Sequence, residues 1–259
     1  MSTFLFDRMV FGPVESRRLG ISLGINLLPN DRKVCTFNCI YCECGWTESG
    51  RDFTGFQDRH QVRQGLEQRL RELQDEGTPV DTITFAGNGE PTLHSHFDLI
   101  IQDTLALRNH ICPRARIAVL SNASLIQRPK VFNALKQVDM NILKLDSAFS
   151  ETVMHLNQPR GQVPLAELIE HLKAFKGSLT IQTLFVRARY NGHILDNTSP
   201  REVDAWIDAV QAIAPQQVMI YTIARGTPLE QVEAVGYDDL QDIAGRLFSQ
   251  TGIPAQISD

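Results

Sequence analysis

From Ile21 onward two periods alternate along the chain: short runs of β-branched and other apolar residues, and longer stretches in which apolar side chains return every three or four positions. The first kind reads as buried strands and the second as one-sided helices. The strands fall at Ile21–Leu28, Thr82–Ala86, Ile117–Leu120, Met140–Leu145, Leu179–Val186 and Gln217–Ile223. Helical faces are marked by Val62, Leu66, Leu70 and Leu73, by Phe97, Ile100, Ile101 and Leu105, and by Val131, Leu135 and Val138. A fourth runs through Leu165, Leu168, Ile169, Leu172 and Phe175, and a sixth through Leu240, Ile243, Ala244 and Leu247. The fifth, with Val203, Trp206, Ile207, Val210 and Ile213, opens on Ser199-Pro200-Arg201-Glu202. That opening offers an N-cap hydroxyl, a proline at the first helical position and a capping-box glutamate.

Strand followed by helix, repeated, predicts a parallel sheet covered by helices, with ligands gathered beyond the carboxyl ends of the strands. Gly161 to Pro164 and Asn191 to Pro200 are the expected exposed loops, and the second follows a strand as a lid would. With 259 residues and 42% hydrophobic content, the chain is expected to form one domain over 1–259, residues 1–20 being an N-terminal extension packed against it.

A formal charge of -5 supplies no general field for gripping a nucleic-acid backbone, so RNA binding would need a local basic patch. No run approaches the roughly 20 apolar residues of a membrane span, which gives a cytoplasmic expectation with no membrane partner. Five cysteines, four of them between positions 35 and 44, make a poor disulfide framework and a good soft-metal site in a reducing compartment.

Those cysteines carry the main chemistry. Cys35, Cys39 and Cys42 stand at C-x3-C-x2-C spacing, and three thiolates on one short loop can ligate three corners of a [4Fe-4S] cube, leaving one iron open. The alternative is a non-enzymatic zinc-binding or RNA-binding module using the Cys35–Cys44 loop, with Cys44 or a histidine as fourth ligand. Zinc knuckles usually draw a second ligand pair from further along, and none has that spacing. Cys44 reads as a bystander and Cys112 as a packed thiol.

Other candidates sit at strand ends. Gly87-Asn88-Gly89-Glu90-Pro91 closes a β-branched run, and its glycines let backbone approach a ligand closely. Ser121 and Asn122 follow the third strand, where a helix cap is the competing role. Lys144 and Asp146 share one face by two-residue alternation, ready either for a ligand or for a buried ion pair. Thr180 and Gln182 interrupt the fifth strand, and Tyr221 and Thr222 close the sixth. Arg160, Arg187, Arg189 and Arg225 read as surface arginines, and His94, His96, His155 and His193 show no metal-ligand spacing.

The cysteine spacing, with Tyr41 just before the third cysteine, resembles the radical S-adenosylmethionine (SAM) superfamily. The segment Phe11-Gly12-Pro13-Val14-Glu15-Ser16-Arg17-Arg18-Leu19-Gly20-Ile21-Ser22-Leu23-Gly24-Ile25-Asn26-Leu27-Leu28-Pro29 is similar to one branch of it, Fe-S oxidoreductases grouped with wyosine-type tRNA-modifying enzymes. The resemblance implies an open (β/α)6 partial TIM-like barrel, a [4Fe-4S] cluster on Cys35, Cys39 and Cys42, and SAM on the open iron. It implies an external one-electron reductant, flavodoxin- or ferredoxin-like, and hydrogen abstraction by a 5′-deoxyadenosyl radical. For SAM binding it implies Tyr41 against the adenine, Gly87, Asn88, Gly89 and Glu90 near the methionyl amino group, and Ser121 and Asn122 near the carboxylate and ribose. Asp146 or Ser147 falls by position at the ribose hydroxyls, with Gln182 and Tyr221 lining the same mouth. Asn88 and Ala123 stand where relatives more often carry glycine. The implied substrate is a tRNA base by branch, with a small molecule or a peptide as the other classes. Wyosine-type relatives carry further cysteines upstream for a second cluster, and no cysteine precedes Cys35 here.

Overall fold

The computed structural model describes residues 3–48 and 52–258. In chain order the elements are β1 (Val10–Ser16), β2 (Gly20–Ile25), α1 (Arg59–Asp75), β3 (Thr82–Phe85), α2 (Phe97–Ile111), β4 (Arg116–Ser121), α3 (Pro129–Leu135), β5 (Met140–Lys144), α4 (Ser150–Leu156), α5 (Leu165–Lys173), β6 (Thr180–Leu184), β7 (Val186–Tyr190), β8 (His193–Asp196), α6 (Pro200–Ile213), β9 (Gln217–Tyr221), β10 (Val232–Ala234), α7 (Tyr237–Thr251) and β11 (Ala255–Ser258). The main sheet runs β1-β2-β3-β4-β5-β6-β9-β11. From β2 to β11 every neighbour pair is parallel, and only β1 is antiparallel, on the β2 edge. The sheet curls into an open partial barrel, the (β/α)6 class expected from the sequence.

All six expected strands form. Several short elements escaped the periodicity, among them β1, α4, β8, β10 and β11. The edge strands β1 and β11 carry too few apolar positions to stand out, and α4 has only two buried residues, Val153 and Leu156. The segment expected as a lid, Asn191 to Pro200, instead contributes a tight turn and the strand β8. Asn191 and Gly192, at φ 49° and 80°, form a two-residue turn of the kind that matches hairpin twist, and β8 returns along β7. With β10 these make a separate three-stranded sheet.

Alternation along each strand sorts the two faces of the barrel. Leu23, Ile25, Ile83, Phe85, Ile117 and Val119 turn outward to a continuous apolar core with the helices. Ser22, Gly24, Thr82, Thr84 and Gln182 alternate to the inside, where Ser22 and Thr84 share a 2.7 Å hydroxyl hydrogen bond. Gly24 is needed there because the Phe11 ring lies 2.1 Å from where a Cβ would stand. Phe11 stacks on Phe6 at 3.9 Å, and Phe6 meets Phe4 edge-on, so the N-terminal segment runs as an aromatic file from the barrel interior to the cysteine loop.

The capping box expected at α6 does not form. Ser199 is the N-cap and Pro200 the first helical residue, but no side chain caps the helix. Glu202 instead accepts from Ser147 Oγ (2.6 Å) and Thr152 Oγ1 (2.5 Å), because the β5–α4 loop and the first turn of α4 bring two hydroxyls nearer than the helix's own start. Together with Trp206 Nε1, which donates to Thr183 Oγ1 and Leu145 O, this pins α6 to the carboxyl ends of β5 and β6.

Candidate active site

The cysteine loop lies across the carboxyl end of the sheet and is sewn down on both margins. On one side Val34 pairs with Gly89 in a parallel bridge, Val34 N–H donating to Asn88 O and Glu90 N–H to Val34 O. Glycine is obligatory at 89: φ is 140°, and an added Cβ would stand 1.8 Å from Val34 O. On the other side Asn38 and Ile40 donate to the backbone at the end of α4, and Arg160 N–H donates to Thr36 O. Asn88 has a visible structural role at this turn. Its buried amide donates to Phe6 O and Pro29 O and accepts from Phe6 N–H, tying three segments into one floor.

Cys35 and Cys39 are buried and Cys42 is half-buried. Burial pushes the Cys35 thiol up to about 12 and raises Cys39 as well, so these thiols hold their protons until a metal displaces them. Cys42 is held well below the ordinary range, first by the thiol of Cys44 and then by Lys33, against the cost of burial. Cys44 itself contacts Gly87 O at 3.4 Å and rises above the ordinary range through its bond to Cys42 and its burial.

Three residues that the sequence did not single out complete the surroundings of the sulfurs. Lys33 is buried with Nζ on Gly45 O at 2.9 Å; burial opposes its charge, but Cys42, Cys35 and Cys39 outweigh that and raise its pKa. Asn157 Nδ2 lies 3.5 Å from Cys39 Sγ. Asn26 supports the turn from below, accepting from Asn88 N–H and Leu28 N–H. Only Lys33, a lysine two residues before the first thiol, left a trace that spacing could have revealed. Of the expected residues, Asn122 plays the part opposite to Asn157, with Nδ2 3.5 Å from Cys35 Sγ and 2.8 Å from Thr36 Oγ1. Ala123 beside it adopts φ 64°, the left-handed region that favours glycine.

The two carboxylates divide the site. Glu90 Oε1 accepts from Thr92 N–H, Thr92 Oγ1 and Ser121 Oγ, and Oε2 accepts from Asn122 N–H. It welds the end of β3 to the end of β4, and burial raises its pKa despite those four donors. Asp146 accepts from Tyr41 Oη, from Asn157 Nδ2 at 2.7 Å and from Leu184 N–H at 3.0 Å, and pairs with Lys144 at 3.3 Å. Burial opposes the Lys144 charge, yet Asp146, Tyr221 and Cys39 hold it above the ordinary lysine range. Burial, then Asp146, raises Tyr41 well above the ordinary phenol range.

The structure therefore brings Cys35, Cys39, Cys42, Tyr41, Gly87, Asn88, Gly89, Glu90, Ser121, Asn122 and Asp146 around one loop. Gln182 stands beside Lys144 in register on the inner face, and Tyr221 packs against the buried cysteine loop's cluster, capped by the Arg18 guanidinium at 4.6 Å. Ser147 turns the other way, donating to Glu202 and accepting from Phe149 N–H.

The donor set suits an iron-sulfur cube better than a single zinc ion. Among the described residues, one group of three His, Cys, Asp or Glu brings its ligand atoms within 4.8 Å of one another, and it does not include the cysteines. Thiolates on one zinc at about 2.3 Å would stand closer together than that.

Residues 32–186 match the radical SAM superfamily, and the chain belongs to it. The chain thereby falls in a superfamily of enzymes for which SAM and a [4Fe-4S] cluster are implied. More narrowly, it is similar to the UPF0026 protein MJ1312 of Methanocaldococcus jannaschii, 34% identical over 186 residues that are 69% of this chain and 54% of that protein. It is also 30% identical over 241 residues, 92% of this chain and 33% of the other, to a Brachyspira hyodysenteriae protein named GTPase Obg. The chain thus spans a third and about half of these two relatives, and it contains no G-x4-G-K-S/T phosphate loop. Two solved structures share the fold. They are a radical SAM methyltransferase from Sphaerobacter thermophilus (TM-score 0.67, 14% identity, 92% of this chain and 65% of that one) and archaeal TYW1 (TM-score 0.53, 12% identity, 89% and 72%). Among the described residues no helix is long and apolar enough to cross a membrane.

Proposed function

We propose that Cys35, Cys39 and Cys42 ligate three irons of the cluster and that SAM binds beside the fourth, over the floor made by Tyr41, Gly87, Asn88, Gly89, Glu90, Ser121, Asn122, Asp146, Gln182 and Tyr221. The observation that carries this reading is the convergence of three thiols, one buried lysine and two side-chain amides at the carboxyl end of a parallel barrel. When bound, the cluster and SAM supply a one-electron cleavage of SAM and removal of a hydrogen atom from a substrate. Lys33 contributes positive charge opposite the thiolates, and Asn122 and Asn157 donate toward sulfur, a contact that tunes cluster potential. Glu90 holds the turn, and Ser147 acts only by fixing the loop that aims Asp146. The reductant is a flavodoxin- or ferredoxin-like protein. A tRNA base is the first substrate class, on branch similarity and the fold shared with TYW1, ahead of a small molecule or a peptide.

Anaerobically reconstituted protein should carry roughly four irons and four sulfides per chain. Cys35→Ala, Cys39→Ala or Cys42→Ala should abolish that loading, and Cys44→Ala and Cys112→Ala should keep it. Given a strong reductant, the loaded protein should release 5′-deoxyadenosine from SAM, faster with unfractionated tRNA at low salt. Full iron loading in Cys39→Ala defeats the cluster assignment. Release of 5′-deoxyadenosine indifferent to tRNA removes that substrate class and moves the search to small-molecule and peptide fractions.

A further inference from the structure

Away from the cysteine loop, Glu151, His155 and His193 draw together although 38 residues separate the two histidines in sequence. Glu151 and His155 are four apart on α4, which sets both on one helical face. His193 is the first residue of β8, fixed by the tight Asn191-Gly192 turn and by its pairing with Tyr190. The ligand atoms of all three lie within 4.8 Å of one another, and the imidazoles stack at 4.0 Å. Among the described residues, none of the three spends its side chain on a hydrogen bond or ion pair. Three ligating groups from two elements, gathered but unbonded, have a common use: they can share a cation.

We propose that Glu151, His155 and His193 form a second metal site, separate from the cysteine loop, for a borderline divalent ion such as zinc. Two imidazoles and a carboxylate match that class rather than the all-oxygen sets of calcium or magnesium or the thiolate sets of iron-sulfur clusters. An i, i+4 pair on a helix is a spacing that helical zinc sites use. With Glu151 and His193 exposed, the remaining coordination positions face water. The ion ties the β7–β8 hairpin to α4, and α4 ends at Asn157, whose side chain reaches Cys39, Tyr41 and Asp146. The site is therefore a brace between the accessory sheet and the helix that seats the cysteine loop.

The test uses the cluster-loaded chain, so that the thiols are already occupied, equilibrated anaerobically with zinc chloride and passed through a desalting column. Elemental analysis should find about one zinc per chain beside the iron. X-ray absorption at the zinc edge should show only nitrogen and oxygen neighbours. His193→Asn, at an exposed hairpin position, and the double variant His155→Ala/His193→Ala should weaken zinc retention at least about tenfold with iron content unchanged. Zinc should also raise the melting temperature of the parent chain and not of the double variant. Equal retention in parent and double variant, or sulfur next to zinc, overturns the proposal.

Discussion

Two buried carboxylates close the carboxyl ends of parallel strands beneath the cysteine loop, Glu90 after β3 and Asp146 after β5, and they are satisfied in opposite ways. Glu90 meets only neutral donors: two hydroxyls and two backbone amides. Asp146 meets a buried lysine, a phenol, an amide and one backbone N–H. The Glu90 half is thus a fixed joint between backbone turns, whose charge is merely tolerated. The Asp146 half is an electrostatic unit in which removing either member strands the other. Cation and anion there are both taken from water, so the pair's net worth is small while the cost of breaking it is large.

The largest expected effect follows from that asymmetry. Asp146→Asn leaves Lys144 without its counterion, and should cost about 3–5 kcal/mol in anaerobic urea unfolding of the apoprotein followed by tryptophan fluorescence, since Trp206 is buried against β5 and β6. The double variant Lys144→Met/Asp146→Asn should recover part of that loss, with a coupling of at least about 0.5 kcal/mol. Strict additivity would mean that the two charges do not stabilise each other, and the contrast with Glu90 would collapse.

How far each half could be read from sequence follows the same line. Lys144 and Asp146 share a face by strand alternation, so both the ion pair and its position were legible from two residue names. The cysteine triplet, the Gly87–Glu90 turn and six strands were legible because spacing and period are local. Two of Glu90's four donors, Ser121 Oγ and Asn122 N–H, come from the next strand end, and Asn157 reaches Cys39 from 118 residues away, so no local pattern encodes them. Glu202 misled for a related reason: its capping-box position is a local signal, overridden by two hydroxyls that tertiary packing brings closer. The nearness of His155 and His193 was hidden the same way, since spacing in sequence is blind to a hairpin folding back on a helix.

A middle-sized effect tests the Glu90 joint. Glu90→Gln keeps the shape, and its amide oxygen can still accept at the position facing Thr92 and Ser121. The NH2 then confronts the Asn122 N–H, donor against donor, leaving one buried backbone donor unpaired at a cost of about 1–3 kcal/mol. The loss should be smaller than in Asp146→Asn in the same urea assay, because no charge is stranded. A cost equal to or above that of Asp146→Asn would show that the neutral joint, and not the ion pair, bears the floor of the site.

The smallest effect is in pH dependence. Burial raises the pKa of Glu90 in the folded protein above its unfolded value of about 4.3, so the folded state binds the extra proton. A group shifted in that direction contributes stability that is complete below the unfolded pKa and is lost as pH rises through the folded one. The contribution to the slope can reach no more than about 1.4 kcal/mol per pH unit for one proton. Urea midpoints of the apoprotein should therefore decline from about pH 4.5 upward more steeply in the parent chain than in Glu90→Gln, which has no proton to lose. Parallel profiles would place the four donors ahead of burial as the dominant influence on Glu90, making it an ordinary ionised carboxylate and bringing the two halves of the site closer in character than their partners suggest.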